Sequence, residues 1–274
     1  MKKWICGLTT ALVLSALLWP SADAANPRNR SKLGYRGRAT KQLVGRQPSG
    51  MASLNTSLVA YYKLNEPSGN RADSTAAGLT LTDNATVTTA SGIQATAAQF
   101  TAANSEYLSS SSGSFYRTGD YAFSFWFYLD SFGTTRTLFS KYDPSISSNR
   151  AYLVQADQAT SKVKFFAVVS GPTEVSVTAT TPNITTATWY HVVVQRVQAS
   201  NQISVQVNNG TVYTASLTGT NQSSSSNFQI GRYDGASFWM DGRVDELGYW
   251  SRTLTAAEVT RLYNNGAGVT YPNF

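Results

Sequence analysis

Short runs in which apolar and polar residues alternate recur along the chain from residue 58 onward, and each run predicts a β-strand. The run at residues 121–129 (YAFSFWFYL) carries the most aromatic side chains, so this strand should be central in a sheet. Residues 95–100 and 106–109 are expected to pair as a hairpin, and Asn209-Gly210 marks a two-residue hairpin turn. Regular spacing of short strands with turn residues between them predicts an all-β sandwich. The remaining predicted strands cover residues 58–64, 78–82, 136–140, 151–155, 163–169, 174–179, 189–197, 203–207, 211–217 and 228–230.

Alternation continues near the C-terminus, where residues 244–251 predict a strand with apolar side chains on both faces. Asp245 and Glu246 are neighbours in this strand, so their side chains should point to opposite faces of the sheet. A retaining glycosidase needs two carboxyl groups about 5–5.5 Å apart across the sugar, and such neighbours cannot form that pair alone. The sequence also contains no Glu-x-Asp-x-Glu or Glu-x-Asp-x-x-Glu motif. A polysaccharide-cleaving enzyme is therefore an alternative and not the main hypothesis.

One short helix is expected directly after this strand. Thr255 suits an N-cap, and Glu258 three residues later completes a capping box. Gly266 suits a left-handed helix end. The helix should pack against the sandwich through one apolar stripe, which consists of Ala256, Val259, Leu262 and Tyr263.

Residues 1–24 have the pattern of a secretory signal peptide: Lys2 and Lys3, an apolar run over 4–19, and a small-residue cleavage site at Ala22-Asp23-Ala24. The apolar run has 16 residues, fewer than the roughly 20 that a transmembrane helix needs, so no membrane span is expected. The sequence predicts a secreted, extracellular or periplasmic protein whose mature chain starts at Ala25. Its only cysteine, Cys6, would be removed with the signal, which excludes disulfides and thiol catalysis. If translation started at Met51 instead, the product would lack residues 1–50 and the argument for secretion would not apply.

The positive charge of the chain is confined to one segment. Residues 25–48 contain seven basic residues and no acidic residue, whereas residues 49–274 contain 13 basic and 14 acidic residues. Residues 25–52 are therefore expected to be a basic, disordered leader, followed by one domain over residues 53–274. The leader is either a solvated linker or a segment that adheres to an anionic surface. The near-neutral domain does not indicate specific nucleic-acid recognition.

Several motifs spread over residues 58–266 resemble, in their order and spacing, the LamG-like (laminin G-like) domains of the concanavalin A-like lectin/glucanase superfamily. The resemblance implies a jelly roll of two curved antiparallel sheets, which would carry the short C-terminal helix. It also implies an extracellular glycan-binding or adhesion module. The matching segments are residues 58–66 (LVAYYKLNE), 72–74 (ADS), 123–127 (FSFWF), 138–141 (LFSK), 189–192 (WYHV), 205–210 (VQVNNG), 229–231 (QIG), 242–247 (GRVDEL) and 253–263 (TLTAAEVTRLY).

One structural calcium ion is a further expectation, because calcium prefers oxygen ligands with flexible geometry. Similar domains often hold an ion between the first loop and the late strand, which makes Asp73 and Asp245 the candidate ligands. The first loop departs from the usual Asp-Ser-Ser-Gly-Asn, since it reads Asp-Ser-Thr-Ala-Ala-Gly from Asp73. The alternative is that Asp245 or Glu246 pairs with a basic group or caps backbone amides.

The candidate ligand-binding residues are aromatic. Trp239, Tyr233 and Phe238 lie near the turn residues Gly231, Asp234 and Gly235, and Tyr142 follows a predicted strand. These four side chains could present aromatic faces to a sugar, although packing in the core or at the rim of the domain is the more common role of such rings. The other tryptophans of the predicted strands, expected in the core, are Trp126, Trp189 and Trp250.

No catalytic set is predicted. His191, the only histidine, lies in an apolar strand, and no Gly-x-Ser-x-Gly motif is present. A zinc site is not expected with one histidine and no mature cysteine. We therefore expect a secreted, non-catalytic module that binds glycan or another cell-surface or matrix ligand. The main alternative is a structural or adhesive component of a virion, envelope or matrix that uses protein contacts and the basic leader.

Overall fold

A computed structural model describes residues 53–235 and 238–274. The predicted signal peptide and basic leader, with Met51, lie outside the described residues. No helix in the described part of the chain is long and apolar enough to cross a bilayer. The elements are β1 (Leu58–Tyr62), β2 (Thr82–Asn84), β3 (Thr88–Ser91), β4 (Thr96–Phe100), β5 (Tyr107–Ser110), β6 (Tyr121–Leu129), β7 (Arg136–Tyr142), β8 (Arg150–Asp157), β9 (Lys162–Val169), β10 (Thr173–Thr178), β11 (Trp189–Val197), β12 (Gln202–Val207), β13 (Val212–Ser216), β14 (Phe228–Ile230), β15 (Gly242–Trp250) and α1 (Ala256–Tyr263).

Two antiparallel sheets pack face to face. The eight-stranded sheet has the order β13-β12-β11-β6-β15-β4-β3, and β1 also pairs with β15. The seven-stranded sheet has the order β10-β9-β8-β7-β14-β5-β2. The chain crosses repeatedly between the two sheets, which confirms the predicted two-sheet jelly roll with one short helix.

The main core lies between the sheets and is rich in aromatic rings. Phe123 on β6 stacks on Tyr249 of β15 at 4.3 Å, and Phe115 stacks on Phe228 of β14 at 4.2 Å. Their burial removes a large apolar area from water, which is the main favourable term in folding. β6 is the central strand that its composition predicted, since it pairs with both β11 and β15.

A second apolar cluster covers part of the outer side of the eight-stranded sheet, where α1 and the C-terminal segment pack. The predicted capping box is present, because Thr255 and Glu258 exchange hydrogen bonds. Arg252 adds a 2.6 Å ion pair to Glu258. The helix ends at Asn264, in the left-handed conformation, and not at Gly266.

Two expectations for the first third of the domain are wrong. Strands 95–100 and 106–109 do not form a hairpin, because β4 belongs to the eight-stranded sheet and β5 to the seven-stranded sheet. A 3₁₀ turn at Ala102–Asn104 carries the chain from one sheet to the other. The strand expected at 78–82 is found at Thr82–Asn84 instead, and β3 was not expected.

A β-bulge in β15 changes which side chains share a face. The pairing of β15 with β6 shifts between Asp245 and Gly248, and Glu246 has a left-handed backbone with φ 49°. Val244 and Leu247 both face the main core. The prediction that Asp245 and Glu246 point to opposite faces is therefore wrong, because the bulge leaves both carboxylates on the outer side of the eight-stranded sheet.

Candidate ligand-binding surface

A group of aromatic side chains lies on the outer side of the seven-stranded sheet, and we call it the aromatic surface. It forms where β5 begins, where β7 ends and along the segment after β14. All four residues predicted to contact a ligand belong to it, together with one that was not predicted. Its members are Tyr107, Tyr142, Tyr233, Phe238 and Trp239.

The rings of the aromatic surface form two contacting groups. Tyr233 meets Tyr142 at a centroid distance of 6.1 Å and Phe238 at 6.0 Å. Trp239 instead lies 5.9 Å from Tyr107. Phe238 is 41% exposed and Trp239 partly exposed, whereas Tyr142 and Tyr233 are each only 8% exposed. Phe238 and Trp239 are therefore accessible to a ligand, and the two tyrosines mainly support them.

Arg232 is fixed over two of these rings. Its guanidinium carbon lies 4.3 Å from the centroid of Tyr107 and 5.2 Å from that of Trp239. Its Nε donates to Gln229 Oε1 at 2.9 Å, and its Nη2 donates to Asp234 Oδ1 at 3.3 Å. Gln229 Nε2 donates to the same Asp234 oxygen at 2.6 Å, which closes the network. The stacking and the hydrogen bonds together hold the guanidinium in one orientation.

Unused hydrogen-bonding capacity remains at this network. A guanidinium has five N–H donors, and Arg232 uses two of them among the described residues. Asp234 Oδ2 accepts no hydrogen bond from the described residues, and the Asp234 side chain is 29% exposed. A donor and an acceptor thus stand side by side next to a partly exposed tryptophan ring.

The segment that carries Trp239 is anchored at its base. Arg136 Nη1 donates to the Trp239 carbonyl at 2.9 Å, and Arg136 Nη2 lies 3.9 Å from Asp241. The Ser131 hydroxyl also donates to Asp241. The backbone at Trp239 is therefore held by contacts to β7 and to the end of β6.

Tyr142 connects the aromatic surface to the edge of the sheet. Its hydroxyl donates to Glu174 Oε2 at 2.7 Å, and the Arg150 guanidinium lies over its ring at 5.4 Å. Burial, and then the hydrogen bond to Glu174, raise the pKa of Tyr142, so the phenol stays protonated. The Tyr142 hydroxyl therefore donates its proton to Glu174 and is held in one orientation.

The two candidate calcium ligands both accept backbone hydrogen bonds. Asp73 accepts from the amides of Tyr61, Thr75 and Leu79 at 2.9–3.1 Å. Asp245 accepts from the amides of residues 93, 94 and 246 at 2.7–3.1 Å. The described part of the chain contains no group of three or more His, Cys, Asp or Glu side chains that could hold a metal. The calcium ion stays a prediction, and capping of backbone amides is the role that these contacts show.

Asp245 and Glu246 form a buried acidic pair, and no basic group of the described residues lies within hydrogen-bond distance of either carboxylate. The Tyr61 hydroxyl donates to Glu246 Oε2, whereas Oε1 is buried without a partner among the described residues. Burial raises the pKa of Asp245 to about 8 and that of Glu246 to about 7. Because both carboxyls are buried, on the opposite sheet from the aromatic surface, they are poorly placed to act on a polysaccharide bound there.

Comparison with known families identifies the superfamily that this fold and these motifs indicate. A family model described as concanavalin A-like lectin/glucanases superfamily, of the laminin G type, matches residues 102–260. The chain belongs to this superfamily. Comparison with curated proteins gives no match.

Solved structures with the same fold are distant in sequence from this superfamily member. The binding domain of Paraclostridial Mosquitocidal Protein 1 is 14% identical, with a TM-score of 0.63 over 77% of this chain and 52% of that one. The receptor binding domain of botulinum neurotoxin type G is 12% identical, with a TM-score of 0.57 over 76% and 51%. The chain thus spans about half the length of these two structures. Domain 4 of AbnA, a GH43 extracellular arabinanase from Geobacillus stearothermophilus solved with arabinotriose, is 19% identical, with a TM-score of 0.55 over 78% and 98%.

The histidine of this superfamily member has a structural environment. His191 Nε2 lies 2.8 Å from the Ser124 hydroxyl, and both side chains are buried beneath α1. Burial lowers the pKa of His191 to about 3, and Nδ1 has no partner among the described residues. A Ser-His nucleophile needs a third group that orients the imidazole. The described residues provide none, which agrees with the expectation of a structural histidine.

Sequence reasoning missed three of the polar and aromatic residues at this surface. Gln229 stood in a recognised motif, and alternation along β14 could have placed it on the outer face. Arg232 and Tyr107 come together only because β14 pairs with β5 in the fold. Trp189, expected in the core, is partly exposed on the eight-stranded sheet, while Trp126 and Trp250 are buried.

Proposed function

We propose that the chain is a secreted, non-catalytic module that binds glycan through the aromatic surface. The observation that carries the proposal is the Trp239–Tyr107–Arg232–Asp234 arrangement, which combines a partly exposed aromatic ring with unused hydrogen-bond donors and acceptors. A sugar presents an apolar C–H face for an aromatic ring and hydroxyl groups for polar side chains. Sites for such ligands combine apolar and aromatic walls with a few placed polar groups.

The superfamily assignment and the shared fold support this proposal. One solved structure with this fold, domain 4 of AbnA, is in complex with arabinotriose. The anchored backbone at Trp239 and the fixed Arg232 supply the preorganisation that reduces the entropic cost of binding. The N-terminal sequence supports secretion.

Binding of the full mature chain to a glycan array and to immobilised polysaccharides tests the proposal. Trp239→Ala removes the exposed ring, and binding should fall at least about tenfold, since an aromatic anchor contributes 1.4 kcal/mol or more. Tyr213→Ala is the matched control, because it removes a partly exposed ring from edge strand β13, away from the aromatic surface. Equal binding by Trp239→Ala and the parent chain would refute the proposed location.

Catalysis is tested separately with the same polysaccharides. We expect no release of reducing sugar during prolonged incubation with the mature chain. Release that is lost when Asp245 and Glu246 are changed to amides would instead establish the polysaccharide-cleaving alternative.

A further inference from the structure

The outer side of the eight-stranded sheet repeats the chemistry of the aromatic surface. Arg243 lies over Tyr128 with its guanidinium carbon 4.4 Å from the ring centroid, and Tyr128 lies 5.5 Å from Trp189. The corresponding distances around Arg232 are 4.3 Å to Tyr107 and 5.9 Å from Tyr107 to Trp239. The two tyrosine–tryptophan pairs also have similar interplanar angles, 51° and 55°.

The hydrogen-bond network is repeated as well. Arg243 Nε donates to Gln99 Oε1 at 2.9 Å, and Arg243 Nη2 lies 3.3 Å from Asp130 Oδ1. Gln99 Nε2 donates to Asp130 Oδ2 at 2.7 Å. Arg232, Gln229 and Asp234 pair in the same way at 2.9, 3.3 and 2.6 Å, except that Arg232 and Gln229 share one oxygen of Asp234, Oδ1. The two groups come from different strands, so local sequence similarity does not explain the repeat.

We propose that this second group, Gln99, Tyr128, Asp130, Trp189 and Arg243, is a second glycan-binding surface for an uncharged, hydroxyl-rich sugar. The proposal rests on the proposed function, because it assigns the same recognition chemistry to the opposite sheet. We call the group the second surface.

Its construction is rigid and linear. Gln99, Arg243, Tyr128 and Trp189 stand directly opposite one another on the adjacent strands β4, β15, β6 and β11. Neighbouring strands lie about 4.8 Å apart, so the row is roughly 14 Å long. A row held by four paired strands needs little ordering when a ligand binds.

Charge and exposure determine the ligand class. The positive charge of Arg243 is balanced by Asp130, whose side chain is 35% exposed. A carboxylate or sulfate ligand would meet repulsion from Asp130, and a cationic sugar would meet repulsion from Arg243. A pair of neighbouring hydroxyl groups can accept from the guanidinium and donate to the carboxylate. The partly exposed rings of Tyr128 and Trp189 would contact the C–H face of the same sugar.

Two surfaces on opposite sheets make the module bivalent, which single-ring variants can test. Affinity gel electrophoresis would use the full mature chain with neutral arabinan, neutral mannan and anionic polygalacturonate. Trp189→Ala and Trp239→Ala should each weaken retardation by one of the neutral polysaccharides at least about tenfold, and the double variant should abolish it. The parent chain should aggregate that polysaccharide, and each single variant should lose aggregation while still binding. Retardation should be unchanged between 50 and 500 mM NaCl, because the ligand is uncharged.

Asp130→Asn provides a second variant in case loss of the Trp189 ring impairs folding. It retains the shape of an exposed side chain, and it should weaken binding of the neutral polysaccharide while thermal melting stays unchanged. Tyr213→Ala is again the control.

The outcomes separate the two proposals. Binding that is abolished by Trp239→Ala and unaffected by Trp189→Ala and Asp130→Asn would overturn the second surface and leave the proposed function intact. Binding lost in Trp189→Ala alone would support the second surface and refute the proposed location on the aromatic surface. Salt-sensitive binding to polygalacturonate alone would overturn the inferred ligand class. No binding to any polysaccharide would refute both proposals.

Discussion

Replacing Glu246 by glutamine removes one of two buried carboxylates while keeping the shape of the side chain. In the parent chain, the Tyr61 hydroxyl donates to Oε2, and Oε1 is buried next to the Thr270 hydroxyl. An amide oxygen at the Oε2 position would still accept from Tyr61. The amide nitrogen would then occupy the Oε1 position, where it can donate to Thr270. The variant therefore removes a buried charge while the side chain keeps its contacts to Tyr61 and Thr270.

The expected increase in the free energy of unfolding of Glu246→Gln, relative to the parent chain, depends on pH. Burial raises the pKa of Glu246 from 4.5 to about 7, so the folded state holds its proton to higher pH than the unfolded state does. The free energy of unfolding of the parent chain should therefore decrease as the pH rises from about 4.5 to 7. At 1.36 kcal/mol for each pKa unit, the full decrease from this residue is roughly 3 kcal/mol. Burial raises the pKa of neighbouring Asp245 from 3.8 to about 8, which extends the decrease to about pH 8.

Urea unfolding of both chains at pH 5 to 9 in the presence of EDTA measures this difference. Glu246→Gln should be about 2–3 kcal/mol more stable than the parent at pH 8.5, and the two should be within about 1 kcal/mol at pH 5. Glu174→Gln, which removes an exposed carboxylate from β10 and whose amide oxygen can still accept from Tyr142, controls for the change in net charge. A Glu246→Gln chain whose advantage does not grow between pH 5 and 8.5 would refute the assignment of a costly buried charge to Glu246.

Three further predictions concern the metal, the leader and the bulged strand. Millimolar calcium should raise the melting temperature at pH 8 relative to EDTA if Asp245 contributes to an ion site, and an unchanged temperature would contradict the calcium prediction. A variant that lacks residues 25–48 should bind glycan as the parent chain does. If the parent chain instead adheres to anionic vesicles in a salt-sensitive way and the variant does not, the adhesive alternative is favoured. Gly242→Ala should cost more than about 2 kcal/mol in urea unfolding, because its Cβ would lie 2.0 Å from the Tyr128 carbonyl oxygen, and a smaller cost would show that β15 can move away.

Most of the fold could be predicted because its strands follow simple alternation. The bounds expected for β6, β11 and β14 agree with the structure, since each strand is long or is flanked by turn residues. The sheet to which each strand belongs was harder to predict from the sequence. Nothing local distinguishes β4 and β5 as members of different sheets, because that depends on the turn at Ala102–Asn104 and on pairing with β15 and β14.

The aromatic residues of the candidate site were predictable by type, but the polar network was not. Trp239 and Phe238 stood out as large rings among turn residues, and both are accessible. Arg232 belongs to the site because its guanidinium stacks on Tyr107, which lies 125 positions earlier in the chain. The pairing of β14 with β5 brings the two residues together. Contacts between side chains on separate strands depend on register, and a single sequence does not determine the register of distant strands.

The bulge at Glu246 in β15 overturns the inference that Asp245 and Glu246 lie in separate environments. Strict alternation separates Asp245 from Glu246 and so excludes a shared environment. Glu246 instead adopts a left-handed backbone, which restores Leu247 to the core and places both carboxylates beside Tyr61 and the turn at residues 93–94. A buried pair of acids with no basic partner among the described residues then needs a proton or a bound cation to offset the cost of burial. The proton and calcium predictions are therefore competing solutions to one electrostatic problem, and the EDTA and calcium measurements at pH 8 decide which of them this chain uses.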